Sequence, residues 1–299
     1  MVKKILVLGA SGMAGHMISK YFNTLPKIYK VYTICHHIKL DKTSMLLNIF
    51  DLKLLDIILE DINPNVVINS IGILNKNAES NPSNTIFINS YFPRYLEEKF
   101  KNSDIKLIHI STDCVFSGEK GSYNENSIPD GKDIYAKTKI LGEINNNKDL
   151  TVRTSIIGPE LKTDGIGLFH WFMQQEGLIK GYSKVIWSGV TTLQLAKCLH
   201  FMIEKDLKGL YNLTTKNPIN KYELLKIIDS TFHRNMLIED CIEPVNDKSL
   251  ISSRTDFPME LPSYREMLQE LKEWMEKNKE LYWQYFCKEE IACLKEQVF

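Results

Sequence analysis

The sequence predicts an α/β fold: a doubly wound parallel sheet with helices on both faces, followed by a smaller C-terminal lobe. Three observations carry this. Short apolar strands alternate with helical stretches through the first half of the chain. A glycine-rich turn joins the first strand to the first helix. The run Val66–Ile73 is strongly apolar, as strands buried on both faces are.

Taken in order, Lys3–Leu8 is a short buried strand, Gly9–Gly15 a tight turn and His16–Phe22 the start of a helix. Val31–Cys35 is a second strand and Leu46–Ile49 a weak third. Asp51 caps a helix running through Glu60, because its carboxylate accepts free first-turn amides. Thr85–Lys101 is helical, with Pro93 bending it. Ile105–Ser111 and Leu150–Ile157 are strands on either side of a helix over Tyr135–Asn145. The alternation loosens after Gly158. Thr191–Lys205 is an amphipathic helix and Gly209–Thr214 a short strand; Asn220-x-x-Glu223 and Ser263-x-x-Glu266 are helix-starting patterns. Residues 1–158 therefore form the main domain, with 191–213 returning to its sheet, and 159–299 form mainly the second lobe. From Tyr264 to Phe299 charges alternate with Leu, Trp, Tyr and Phe. That pattern fits a helical extension packed on its own domain, with a subunit interface as the alternative.

Lys+Arg and Asp+Glu both total 37, so no global charge draws nucleic acid or an anionic membrane. No apolar run approaches the roughly 20 residues of a membrane span. The start MVKKILVLGASG lacks a signal-peptide pattern, and the six cysteines form no CxxC pair. A cytoplasmic chain with reduced thiols and no metal site is expected.

The turn Gly9-Ala-Ser-Gly12-Met-Ala-Gly15 lets backbone approach a pyrophosphate, while the following helix offers free N–H groups. Gly9, Ser11, Gly12, Met13 and Gly15 are thus candidate dinucleotide contacts in a Rossmann-type domain. The second strand ends Cys35-His36-His37, without the acid that reads a free ribose 2′-hydroxyl. His36 therefore favours NADPH, with NADH as the alternative. Asn48, at the end of the third strand, is a candidate adenine contact.

Tyr135 and Lys139 stand four apart on one helix face. A nearby ammonium would lower the phenol pKa and suit it to proton transfer at a carbonyl. Thr112 closes a buried strand at the sheet edge where ligands bind, and its hydroxyl can hold the substrate oxygen.

With these pieces in place, the sequence resembles the extended short-chain dehydrogenases/reductases, and more closely the dTDP-4-dehydrorhamnose reductase family. The resemblance is carried by GASGMAG (9–15), VVINSIGI (66–73), ISTDCVFSG (110–118), YAKTKILGE (135–143) and RTSIIGPE (153–160). WSGVTTLQLAK (187–197) and DKSLISSR (247–254) match more loosely. The resemblance implies reduction of the 4-keto group of a nucleotide-diphospho-6-deoxyhexose, with Thr112, Tyr135 and Lys139 as catalytic residues. It implies cofactor contacts at Ser70, Ile71, Gly72 and Asn89, and substrate contacts at Asp113, Val115, Arg153, Trp187, Thr191 and Arg254. An intrachain salt bridge is the alternative for Arg254. Cys114 replaces the family's tyrosine. GDP-fucose synthase, a relative, has a cysteine at this offset that serves in epimerisation, so a bifunctional epimerase/reductase using Cys114 is the alternative function. His170 would be its partner acid, against a simpler core role. A non-catalytic, cofactor-binding regulatory subunit is the alternative of another class. The expected partner is a nucleotide-diphosphate sugar, and a homo-oligomer is left open.

Overall fold

The computed structural model describes residues 2–256 and 260–286. Strands β1 (Lys3–Leu8), β2 (Tyr29–Cys35), β3 (Met45–Leu46), β4 (Val66–Asn69), β5 (Lys106–Ile110) and β6 (Leu150–Arg153) stand in the order β6-β5-β4-β1-β2-β3. The strand Gly209–Asn212 pairs with the outer side of β6. Every pairing in this sheet is parallel. Strand order reverses between β1 and β4, which opens a crevice at their carboxyl ends.

Side chains alternate across each strand, so both faces need an apolar cover. Ile5, Val7, Ile68, Ile108 and Val152 face Leu195, Leu199 and Met202 of the helix Thr192–Glu204. Leu6, Leu8, Val67 and Leu107 face Leu55, Leu59, Phe92 and Leu96 on the other side. Predicted caps are made: Asp51 accepts from Leu54 N–H at 3.0 Å, Asn220 accepts from Glu223 N–H at 2.8 Å, and Ser263 forms a full capping box with Glu266.

Three elements differ from expectation. The third strand is Met45–Leu46, and Leu150–Ile157 divides into β6 and a separate pair, Ile156–Ile157. The helix expected over 85–101 is instead three segments, with a π-helical turn at Phe87–Tyr91 between Pro82–Ile86 and Phe92–Phe100. Pro93 has no N–H to return to the Asn89 carbonyl, which packs against Gly142 so closely that a Cβ there would lie 2.0 Å from it.

The second lobe pairs Leu178–Tyr182 with Leu237–Cys241, and Val185–Trp187 with both Ile219–Asn220 and Asn246–Asp247. Helix Tyr264–Lys277 buries Met267, Leu268, Leu271 and Met275 on its own chain. The chain then continues as two short 3₁₀ turns, Lys279–Leu281 and Trp283–Tyr285, rather than as one long helix. The remainder of the expected extension, residues 287–299, lies outside the described residues. Among the described residues no helix is long and apolar enough to cross a membrane.

Candidate active site

The glycine turn and the crevice beside it form one groove. It is lined by Gly9, Ser11, Gly12, Cys35, His36, Asn48, Ser70, Ile71 and Gly72, with Phe50, Ile88 and Lys162. Gly9 adopts φ +81°, which an L side chain rarely takes. Gly15 has a different reason to be glycine: a Cβ there would lie 2.2 Å from the Gly9 carbonyl oxygen. At Gly12 a Cβ would meet only that carbonyl, at 3.3 Å, so the turn itself does not exclude a side chain there. The space in front of Gly12 is a backbone cradle open to the groove, and the residues present fit a dinucleotide. Ser70 braces the turn, its hydroxyl donating to Leu8 O at 2.6 Å.

Two expected cofactor residues take other places. Met13 is not on the groove wall; its methyl packs where a Gly167 side chain would project. Asn89 is fully buried and is not on the groove wall. Its amide accepts from Ile73 N–H and donates to Ile73 O, both at 2.9 Å. It therefore shapes the loop after β4 from behind, and the π turn is what brings it there.

Thr112 follows β5 and caps the 3₁₀ turn Asp113–Val115, its hydroxyl oxygen accepting from Cys114 N–H at 3.1 Å. The helix Ile134–Gly142 is capped by Asp133, which accepts from Ala136 N–H at 2.7 Å. Its first turn presents Tyr135, whose phenol lies near enough to Thr112 for that side chain to oppose the rise of its pKa. Both residues are 8% exposed.

Lys139 is buried one turn on. Its amine donates to Ile110 O at 2.8 Å and lies 3.2 Å from His109 Nε2. Burial lowers its pKa to about 8, against a smaller raising effect of Glu143. The phenol pKa of Tyr135 is not lowered as the sequence suggested but raised, first by burial and then by the Cys114 thiol. The lysine is turned toward the strand carbonyl, and the tyrosine holds its proton.

Beyond Thr112 a wide cleft opens toward the second lobe. Asp113, Cys114, His170, Trp187, Lys221, Asn246 and Lys248 line it. The Asp113 carboxyl is raised by burial, an effect opposed by the charge of Lys248. Burial and the neighbouring Asp113 push the Cys114 thiol up to about 12, so it is a poor base at neutral pH. His170 is buried, with Nδ1 2.6 Å from the Tyr285 hydroxyl.

Four expected substrate contacts are committed elsewhere. Val115 is fully buried beside Phe116, Tyr123 and Leu250. Arg153 is 3% exposed and forms a two-pronged ion pair with Glu143 at 2.8 and 2.7 Å, and Glu143 also accepts from Ser111 at 2.7 Å. Thr191 caps the helix Thr192–Glu204 by accepting from Gln194 N–H. Arg254 pairs with Asp256 and lies over Tyr211, outside the cleft. The Arg153 Nη1, buried and without a hydrogen-bond partner, is left over from its pair with Glu143. Lys162, Lys221 and Lys248 were not singled out from sequence, since scattered lysines on loops carry no spacing signal; Lys248 does stand within the matching segment 247–254. Among the described residues no His, Cys, Asp or Glu cluster could hold a metal.

Fold and site together define a chain of the extended short-chain dehydrogenase/reductase type. It belongs to the family described as RmlD substrate binding domain, whose model matches residues 3–286. The chain is similar to dTDP-4-dehydrorhamnose reductase from Aggregatibacter actinomycetemcomitans, 29% identical over 142 residues, covering 47% of this chain and 45% of the relative. It is also similar to methionine adenosyltransferase 2 subunit beta from Xenopus tropicalis, 22% identical over 268 residues, covering 82% of this chain and 76% of the relative. Among solved structures it resembles dTDP-4-dehydrorhamnose reductase from Bacillus anthracis str. Ames in complex with NADP. The TM-score is 0.78 with 21% identity, covering 91% of this chain and 99% of that one.

Proposed function

We propose that the protein reduces the 4-keto group of a nucleotide-diphospho-4-keto-6-deoxyhexose with NADPH, in deoxysugar biosynthesis. The observation that carries this is the placement of Tyr135 beside Thr112, where the glycine-lined groove and the cleft toward the second lobe come together. When bound, the dihydronicotinamide supplies hydride. Tyr135, protonated in its buried setting, gives its proton to the ketone oxygen. Thr112 hydrogen-bonds that same oxygen and orients it. Lys139 steadies the cofactor ribose from one turn along the helix. Lys221 and Lys248 give the cleft positive charge suited to a sugar diphosphate. The solved relative with NADP supports the cofactor choice. Epimerisation is not included, because the Cys114 thiol holds its proton.

The test follows NADPH oxidation with a panel of 4-keto-6-deoxy nucleotide sugars. Turnover by the native chain and its loss in Tyr135→Phe support the reading; no turnover with any of them refutes it. A second reading, a cofactor-binding subunit of another enzyme, draws on the relatives named as subunit beta, which match 82–84% of this chain in the longer alignments. Dinucleotide binding without turnover on the panel would favour it.

A further inference from the structure

We propose that Lys162 is the cation that recognises the phosphate on the adenosine ribose of NADPH, and that the turn carrying Gln284 and Tyr285 holds it there. The proposal rests on the dinucleotide reading above and names the residue that selects between the two nicotinamide cofactors.

The carboxyl end of β2 is where folds of this kind read the ribose. Here it carries Cys35, His36 and His37, and no acid. A site that takes a 2′-phosphate needs a positive charge at this point. His36 supplies it poorly: burial, His37 and Lys162 all push its pKa below the ordinary histidine value, so the ring is neutral at pH 7. Lys162 lines the same groove as His36, Cys35 and Asn48. A lysine ammonium on a flexible stem suits a phosphate monoester.

Lys162 reaches the groove from a loop after Ile156–Ile157, on the side of the second lobe. The loop is exposed, yet its backbone is fixed from behind. The Tyr285 hydroxyl accepts from Glu160 N–H at 2.9 Å. Gln284 Nε2 donates to Glu160 O at 2.5 Å and to Lys162 O at 3.2 Å. The Glu160 carboxylate accepts from Gly167 N–H at 2.7 Å, closing the other end of the loop. These bonds constrain only backbone and leave the lysine side chain free to meet a ligand. They also give the segment after the last long helix a role: it shapes the rim of the cofactor groove.

The experiment titrates the native chain, Lys162→Ala and Tyr285→Phe with NADPH and NADH, followed by nicotinamide fluorescence. Adenosine 2′,5′-bisphosphate and AMP are titrated by calorimetry. Lys162→Ala should lose about tenfold in affinity for NADPH and for the bisphosphate, while NADH and AMP are unchanged. Tyr285→Phe should show a smaller loss with the same selectivity. Equal losses for both cofactors, or an unchanged preference, would overturn the proposal while leaving the reductase reading intact. A native chain that binds neither dinucleotide would overturn both.

Discussion

Lys139 Nζ and His109 Nε2 face each other at 3.2 Å inside the sheet edge, with no carboxylate bonded to either. Asn69 completes the set. Its amide oxygen accepts from Ile71 N–H at 3.1 Å, which turns its NH₂ toward His109 Nδ1 at 3.2 Å. That nitrogen then accepts, so the ring hydrogen sits on Nε2 and points at the lysine. Above about pH 8 a neutral amine completes this arrangement, while below it the lysine carries a buried charge; burial lowers the pKa of both groups.

The lysine therefore has a signature in stability. Its folded pKa is about 8 against an ordinary 10.5, so between those values the unfolded chain binds the proton and the folded chain does not. Stability from this group is fully present above about pH 10.5 and is lost as pH falls through about 8. Lys139→Met removes the cost of the buried charge. Its urea midpoint should exceed that of the native chain at pH 7, and the gap should shrink by pH 9.5. A constant gap would contradict the assignment.

Tyr135→Phe should lower turnover by about a hundred- to ten-thousand-fold, the usual contribution of a positioned general acid. Dinucleotide affinity should not change. Cys114→Ser should retain most of its turnover, because the thiol is not ionised. Steady-state NADPH oxidation and fluorescence titration separate the two effects.

The glycines of the turn should split under substitution. Gly15→Ala forces Cβ to within 2.2 Å of the Gly9 carbonyl, so the melting temperature should fall sharply. Gly12→Ala meets nothing closer than 3.3 Å and should fold nearly as the native chain does. It should nonetheless bind NADPH poorly, since its methyl would occupy the cradle. Thermal melts and titrations of both variants check this.

Breaking the Arg153–Glu143 pair should destabilise rather than alter specificity. Arg153→Ala leaves a buried carboxylate without its partner, a loss of about 3–5 kcal/mol. Denaturant unfolding measures it, and the KM for the sugar nucleotide in the surviving folded fraction should stay near the native value.

His16 should make the fold acid-sensitive. Burial lowers its pKa from 6.5 to about 4, so the unfolded chain binds a proton before the folded one does. Stability from this group is complete above pH 6.5 and declines as pH falls toward 4. A His16→Asn variant should show a flatter stability profile over that range.

The parallel sheet could be read from sequence because β1 and β4 are rich in apolar residues and alternate with helices, the one over Leu52–Ile62 opening on Asp51. The groove residues Gly9, Ser11, Gly12, His36 and Asn48 were legible because turn and strand end fix them locally. The partners that Arg153 and Val115 meet, Glu143 and the Phe116 cluster, reveal themselves only in three dimensions, whereas the Thr191 cap on Gln194 N–H is local to the helix start. The π turn was hidden for a similar reason: Pro93 announces a disturbance, but only packing against Gly142 decides its form.

Tyr282 is fully buried, its hydroxyl 3.1 Å from His16 Nε2, while His16 Nδ1 lies 2.9 Å from the Gly12 carbonyl. These two side chains are separated by 266 residues. During synthesis the glycine turn emerges among the first residues, yet its histidine waits for nearly the whole chain before gaining its last hydrogen bond. A nascent chain halted before residue 282 thus carries a finished nucleotide turn on an unfinished foundation.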